Sequence, residues 1–143
     1  MKSDSQVFIL GDADKVREKI ERSLFANRLD QLAAFSATLT HAVSTLVAEM
    51  EINFGAKTIM AGGDDVCFLV PLSGYRKTEL EQLSRHFFAL SGCRISFGAG
   101  TSIRDAYLNL RKAKSLEGGC VIDDGIPYEQ DYDHDANVHI RRL

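Results

Sequence analysis

Long apolar runs, a surplus of basic charge and paired cysteines are all missing from this 143-residue sequence. No run approaches the ~18 apolar residues of a membrane span, and Met1-Lys2-Ser3-Asp4 lacks the pattern of a signal peptide, so a cytoplasmic protein without a membrane partner is expected. Seventeen Lys and Arg against twenty Asp and Glu leave a net charge of −3. The basic residues are scattered, which removes the electrostatic footprint that duplex nucleic acid requires and points any nucleic-acid chemistry toward mononucleotides. Cys67, Cys93 and Cys120 are odd in number, widely spaced and set in apolar strand-like runs, so they read as reduced core residues rather than zinc ligands or disulfides. His41, His86, His134 and His139 show no ligand spacing. The stacking aromatics and basic flanks of an RNA-binding module are not evident either.

What is present suits one α+β domain able to bury roughly two thirds of its unfolded surface. Val7 to Leu10 is a short apolar run closed by Gly11, hence a buried strand. A helix-like stretch from Lys15 to Leu24 follows, with Asp14 as its expected N-cap. From Leu29 to Phe54, Leu29, Leu32, Ser36, Leu39, Val43, Leu46 and Met50 alternate steps of three and four, which predicts a long helix packed on a sheet and ended by Gly55. Ser36 interrupts that stripe, either facing a base or bonding back to its own helix. Strands are expected at Thr58 to Ala61, Val66 to Val70, Cys93 to Ala99 and Gly119 to Ile122, with helices at Thr78 to Leu90 and Ile103 to Ser115. The order βααββαβαβ contains the split arrangement of a ferredoxin-like antiparallel sheet, in which the first strand lies between the third and fourth. The domain is expected over residues 1–122. Residues 123–143, with the acidic run Asp131 to Asp135 and basic Arg141-Arg142, read as an irregular tail.

The chemistry gathers at Gly62-Gly63-Asp64-Asp65, between two strand-like runs. Gly-Gly there signals a hairpin, because both residues take positive φ at little cost. Two carboxylates about 4 Å apart repel by roughly 4 kcal/mol at an effective dielectric of 20, so the turn calls for a countercharge, though a solvated acidic turn fits the same residues. Asp12 ends the first strand, and antiparallel pairing sets it beside Asp64 and Asp65. Strands about 4.8 Å apart let the three carboxylates share one or two cations of Mg²⁺ size, while the helix start at Asp14 and Lys15 offers backbone N–H groups to phosphate. The helix after the fourth strand returns toward this rim, which brings Lys114 near the acids and lets Arg111, one turn earlier, face the same way, though a favourable interaction with the helix C-terminus fits both residues equally well.

With Gly11-Asp12-Ala13-Asp14, Gly62-Gly63-Asp64-Asp65 and the run Ile95 to Gly100 followed by Ala106 to Lys114, the chain resembles a palm-type nucleotide cyclase. It is similar to GGDEF diguanylate cyclases, to the palm domain of type III CRISPR polymerases, and most of all to the stand-alone minimal CRISPR polymerase family, mCpol, over roughly residues 6 to 122. The resemblance implies synthesis of cyclic oligonucleotides from nucleoside triphosphates, as a signal in bacterial anti-phage defence read by a downstream effector. It implies Mg²⁺ or Mn²⁺, two ions per site, ligated by Asp12 and Asp64 with the Ala13 carbonyl as a backbone ligand. Asp65 is then a second ligand or orients the attacking hydroxyl. Gly62 and Gly63 let the nucleotide approach the backbone, and Asp14, Lys15, Arg111 and Lys114 complete the nucleotide site, with Lys114 on the triphosphate. Closing a ring from two nucleotides implies a homodimer, lasting or transient.

GGDEF cyclases carry Glu-Phe after the first acid of the turn and an Asn-Asp pair reading guanine; here Asp65-Val66 and Asn27-Arg28 stand there. The mCpol comparison therefore favours ATP, with a GTP-using diguanylate cyclase or a catalytically silent nucleotide-binding regulator as the alternatives.

Overall fold

The computed structural model describes residues 5–116 and 118–128. The chain order is β1 (Gln6–Ala13), α1 (Val16–Phe25), α2 (Leu29–Phe54), β2 (Lys57–Ala61), β3 (Asp65–Pro71), a 3-10 turn at Leu72–Gly74, α3 (Lys77–Ser91), β4 (Ile95–Gly100), α4 (Ile103–Lys114) and β5 (Val121–Ile122). The expected element order is observed.

In the sheet the strands run β2-β3-β1-β4-β5. β1 is antiparallel to both β3 and β4, as the split arrangement requires. β5, however, joins β4 in parallel, pairing Phe97 with Val121. The sheet is therefore mixed rather than wholly antiparallel. The reason is the α4 crossover: one helix between two strands returns the chain to the edge from which β4 set out, so β5 must run the same way.

Strand pleat divides the residues between two faces. Val7, Ile9 and Ala13 of β1 join Val66, Phe68 and Val70 of β3 and Ile95, Phe97 and Ala99 of β4 in the main core, with Leu39, Leu46, Met50 and Phe54 of α2 and Leu80, Leu83 and Phe87 of α3. The stripe on α2 buries against this face only from Leu39 onward; Leu29 is 77% exposed, because the first turns of α2 project past the sheet and meet α1 instead. The opposite face carries α4. A methyl group on Gly98 would lie 2.1 Å from the Leu110 nitrogen, and one on Gly100 2.5 Å from that of Ala106, so these two glycines let the helix backbone rest directly on β4. That close seat fixes where α4 ends.

Gly55 and Gly92 cap α2 and α3 in left-handed conformations, as their positions suggested. The cap of α1 differs from expectation. Lys15, not Asp14, occupies the N-cap, at φ 62° and without a side-chain cap. Asp14 is turned away to a different partner, described below. Residues 123–128 are irregular but packed: Ile126 is buried in the core, and the Asp123 carboxylate accepts hydrogen bonds from the Tyr75 hydroxyl (2.9 Å) and from that of Tyr128. The body of the protein thus continues six residues past the boundary read from sequence. Arg141-Arg142 and the Asp131 to Asp135 run lie outside the described residues. Cys67 and Cys93 are buried free thiols and Cys120 is half-buried and free; burial pushes all three thiols upward in pKa. Among the described residues, no helix is long and apolar enough to cross a membrane.

Candidate active site

The β1–β3 ladder ends by pairing Asp12 with Asp65. One step further, the Ala13 N–H donates to the Asp64 carbonyl oxygen at 2.9 Å, and the Gly62 N–H closes the turn on the Asp65 carbonyl oxygen at 2.8 Å. The backbone thereby fixes the three acids relative to one another. Asp12, Asp64 and Asp65 each present a carboxylate oxygen such that all lie within 4.8 Å of one another. Two of the three are half-buried and Asp65 is exposed.

The electrostatics follow from that crowding. Partial burial, then the Asp64 charge and the Asp12 hydrogen bond and charge, raise the pKa of Asp65 above 3.8, with Lys114 opposing them. Three hard oxygen donors at this separation suit a divalent cation of Mg²⁺ type, so Asp12, Asp64 and Asp65 could hold one, with Ala13 supplying backbone at the end of β1.

Lys114, in the last turn of α4, sits where the topology predicts. Its ammonium lies 3.1 Å from Asp12 Oδ2 and donates a short hydrogen bond to Asp14 Oδ1. Desolvation, the largest single influence, pulls its pKa down, but the combined hydrogen bonds and charges of Asp14 and Asp12 outweigh it and the net shift is upward. Asp14, expected as a helix cap, is instead the tether of this lysine. Gly118 makes room for the arrangement: it stands at φ +86°, and a methyl group there would come within 2.7 Å of Asp14 Oδ2. Arg111 does not join the cluster. Its exposed guanidinium is bonded to the Tyr107 hydroxyl (3.2 Å) and lies over that ring on α4.

Neither Gly62 nor Gly63 takes the positive φ expected of a Gly-Gly hairpin. A methyl group on Gly63 would meet nothing within 4 Å, and one on Gly62 would reach only the Asp65 carbonyl oxygen at 3.8 Å. The fold itself therefore does not demand glycine at either position.

A groove of about 740 Å³ opens beside this turn, lined by Gly63 and Asp64 together with Ile20 and Leu24 of α1 and Leu32 and Phe35 of α2. Ser36 is exposed and lines it, as does Thr40. The size is within the range of small-molecule sites, and the mix of apolar wall and few hydroxyls is typical of them. A second, more basic groove meets the cluster at Lys114 and includes Lys15, Lys19 and Arg94. Sequence reasoning missed Lys19 and Arg94. The register held the signal for Arg94, since pairing Ala13 with Ile95 brings the preceding residue beside Asp14.

Known proteins with this shape carry nucleotide chemistry in their descriptions. The GGDEF domain of DgcB from Caulobacter crescentus, solved with c-di-GMP, superposes at TM-score 0.57 with 11% identity, covering 82% of this chain and 77% of that one. A diguanylate cyclase/phosphodiesterase from Caldicellulosiruptor saccharolyticus gives 0.57 with 14% identity over 86% of this chain and 79% of that one. A Csm1–Csm4 cassette in complex with pppApA gives 0.66 with 18% identity, covering 81% of this chain, which spans only 20% of that one. At such identities these likenesses establish the palm-like fold alone. No curated protein matches the sequence. The family assignment comes instead from residues 8–123, which contain both acidic segments and the α4 lysine and match a single family description. The chain belongs to the mCpol family, the minimal CRISPR polymerase domain.

Proposed function

We propose that the protein is a metal-dependent nucleotidyltransferase that joins nucleoside triphosphates, ATP favoured, into cyclic oligonucleotides, with cyclic dinucleotides as the expected product. The observation that carries this reading is the convergence of Asp12, Asp64 and Asp65 within 4.8 Å, from segments some fifty residues apart in sequence. Family membership and the palm-like neighbours support it.

Nucleotidyl transfer asks little covalent work of the protein; positioning and charge neutralisation supply most of the rate. Bound Mg²⁺ or Mn²⁺, two ions in this reading, would lower the pKa of a ribose hydroxyl and offset charge on the α-phosphate and departing pyrophosphate. Asp12 and Asp64 hold that charge in place, and Asp65 completes the set. The base and ribose lie in the groove between α1 and α2, where Ser36 and Thr40 offer hydroxyls to the base edge. Lys114 holds the triphosphate beside the acids. The uncapped start of α1 at Lys15 presents backbone N–H groups to the same phosphates. Lys15 itself, a non-glycine residue in the left-handed region, carries the kind of backbone strain that clusters at ligand sites.

Each site loads one triphosphate, so ring closure brings two copies of the chain face to face, and the product acts as a signal in anti-phage defence. The test is incubation of the purified chain with Mg²⁺ and the four ribonucleoside triphosphates, singly and mixed, followed by mass spectrometry. A cyclic product with release of pyrophosphate is expected. Nucleotide binding without product from any triphosphate would instead establish the silent regulator.

A further inference from the structure

The groove between α1 and α2 does not end at the acidic turn. A second groove, of about 510 Å³, continues along α2 beyond it, lined by Val43, Ser44 and Val47 of α2, by Ala61 at the end of β2 and by Gly62. Thr40 and Gly63 line both grooves, and Asp64 lines the first beside Gly63. The two therefore form one trough with the acidic turn at their junction. From Ser36 in the first groove to Ser44 in the second, the axis of α2 rises about 12 Å at 1.5 Å per residue. One nucleobase is too short to fill that length.

Three hydroxyls follow the trough, those of Ser36, Thr40 and Ser44, which recur every fourth residue on one helix face and are all exposed. Helical serines commonly bond back to the carbonyl four residues earlier, as Ser91 does to Phe87 at 2.8 Å. Among the described residues no hydrogen bond engages the side chains of Ser36, Thr40 or Ser44. Their donors and acceptors are left for a ligand or for water.

The chemistry of the second groove selects its occupant. None of the residues lining it is charged, so it offers no countercharge to a phosphate. Val43 and Val47 supply an apolar wall, and Thr40 and Ser44 supply polar contacts to the edge of a planar ring. The floor is bare: a methyl group on Gly63 would meet nothing within 4 Å, and no positive φ requires glycine there.

We infer that this groove is a second nucleobase site, so that one chain holds both bases of a linear dinucleotide, one in each groove, with the linking phosphate beside the acids at the junction. Placing that dinucleotide in a synthesis rests on the reading above. The second base site stands on the groove alone. Ring closure by paired copies then starts from a dinucleotide that one copy retains.

Calorimetric titration of the full chain in Mg²⁺ with the dinucleoside monophosphate ApA and with AMP tests it. ApA is expected to bind at least ~10-fold more tightly than AMP, the gain from seating the second base. Ser44→Leu puts a bulkier side chain at an exposed helix position, and should erase that difference while the affinity for AMP holds. Ser44→Ala, which removes the hydroxyl alone, should lose part of it. Thr38→Leu, exposed on α2 but lining neither groove, should leave both affinities unchanged. Equal wild-type affinities for ApA and AMP, a preference that survives Ser44→Leu, or an equal loss from Thr38→Leu would overturn the site. Product analysis on the same samples separates the two readings. A Ser44-dependent preference for ApA in a chain that makes no product supports the groove and removes the synthase; turnover with the preference intact in Ser44→Leu removes the groove alone.

Discussion

Asp12 and Asp65 face one another across the last rung of the β1–β3 ladder, with Asp64 joined to the same strand end through the Ala13 N–H. Like charges directly opposite on neighbouring strands destabilise a sheet. A rim built this way is a stability cost that a bound cation removes, so binding and stability must respond to the same residues.

Asp64→Asn should therefore leave the fold intact, with an unchanged or higher melting temperature in EDTA, while product formation falls on the order of 10³-fold. Mg²⁺ should raise the melting temperature of the wild-type chain but not that of an Asp12→Asn/Asp64→Asn variant. Undiminished turnover by Asp64→Asn would remove this residue from the mechanism.

The raised pKa of Asp65 sets a pH dependence with a definite sign. Between the unfolded value of 3.8 and the higher folded value, the native state binds more protons than the unfolded one, so stability falls as pH rises through that window. In EDTA, melting curves of the wild-type chain should show this fall and those of Asp65→Asn should lack its contribution. Divalent-ion affinity should move the opposite way, rising with pH over the same window as Asp65 ionises. A wild-type-minus-variant difference that is flat with pH would contradict the assignment.

Lys114 shares Asp12 with any cation the acids bind, since its ammonium is 3.1 Å from Asp12 Oδ2. Lys114→Ala is expected to raise KM for nucleoside triphosphate about 10-fold or more and to cost about 1 kcal/mol of stability without metal. Nucleotide-free protein should at the same time show a larger Mg²⁺-induced thermal shift, because the competing ammonium is gone. A smaller shift would mean that the lysine assists ion binding instead.

These predictions draw unevenly on what could be read from the chain. The meeting of Asp12 with Asp64 and Asp65, and the arrival of Lys114, were legible because strand order and helix length are local patterns with fixed geometric consequences. Gly55 and Gly92 announced their helix ends for the same reason. The Asp14 tether, the Lys19 and Arg94 groove and the Tyr75–Asp123–Tyr128 contact were not, since each depends on side chains from distant segments whose local pattern fits a cap, a solvated face or a tail equally well. The direction of β5 was legible too, since the helix already read between the last two strands dictates a parallel pairing; the expectation of an antiparallel sheet passed over that connection.

Asp123 gives the contrasting case of a residue expected to serve stability alone. Burial, then the neighbouring Asp123 and Tyr128, push the Tyr75 hydroxyl far above its usual pKa, so it remains a donor at any working pH. Asp123→Ala removes the acceptor of two phenols, and an unpaired buried group costs about 1–3 kcal/mol. A melting temperature lower by several degrees is expected, with turnover per folded molecule unchanged below it. Lost turnover at full folding would tie this contact to the active site.

Gly63 separates a turn from a substrate platform. It neither occupies the left-handed region nor packs against anything within 4 Å of an added methyl group. Replacing such a glycine by alanine restricts the unfolded chain and stabilises by roughly 0.4–1 kcal/mol. If the turn serves only the hairpin, Gly63→Ala should thus be harmless or beneficial in every assay. If a nucleotide lies against this backbone, the same methyl group, and more so the branched side chain of Gly63→Val, should raise KM for nucleoside triphosphate severalfold while the melting temperature holds or rises. Binding to the protein in Ca²⁺, measured beside the melts, decides between them: stability kept and affinity lost shows that the space above Gly63 belongs to the substrate, whereas affinity kept in both variants would move the nucleotide off this turn.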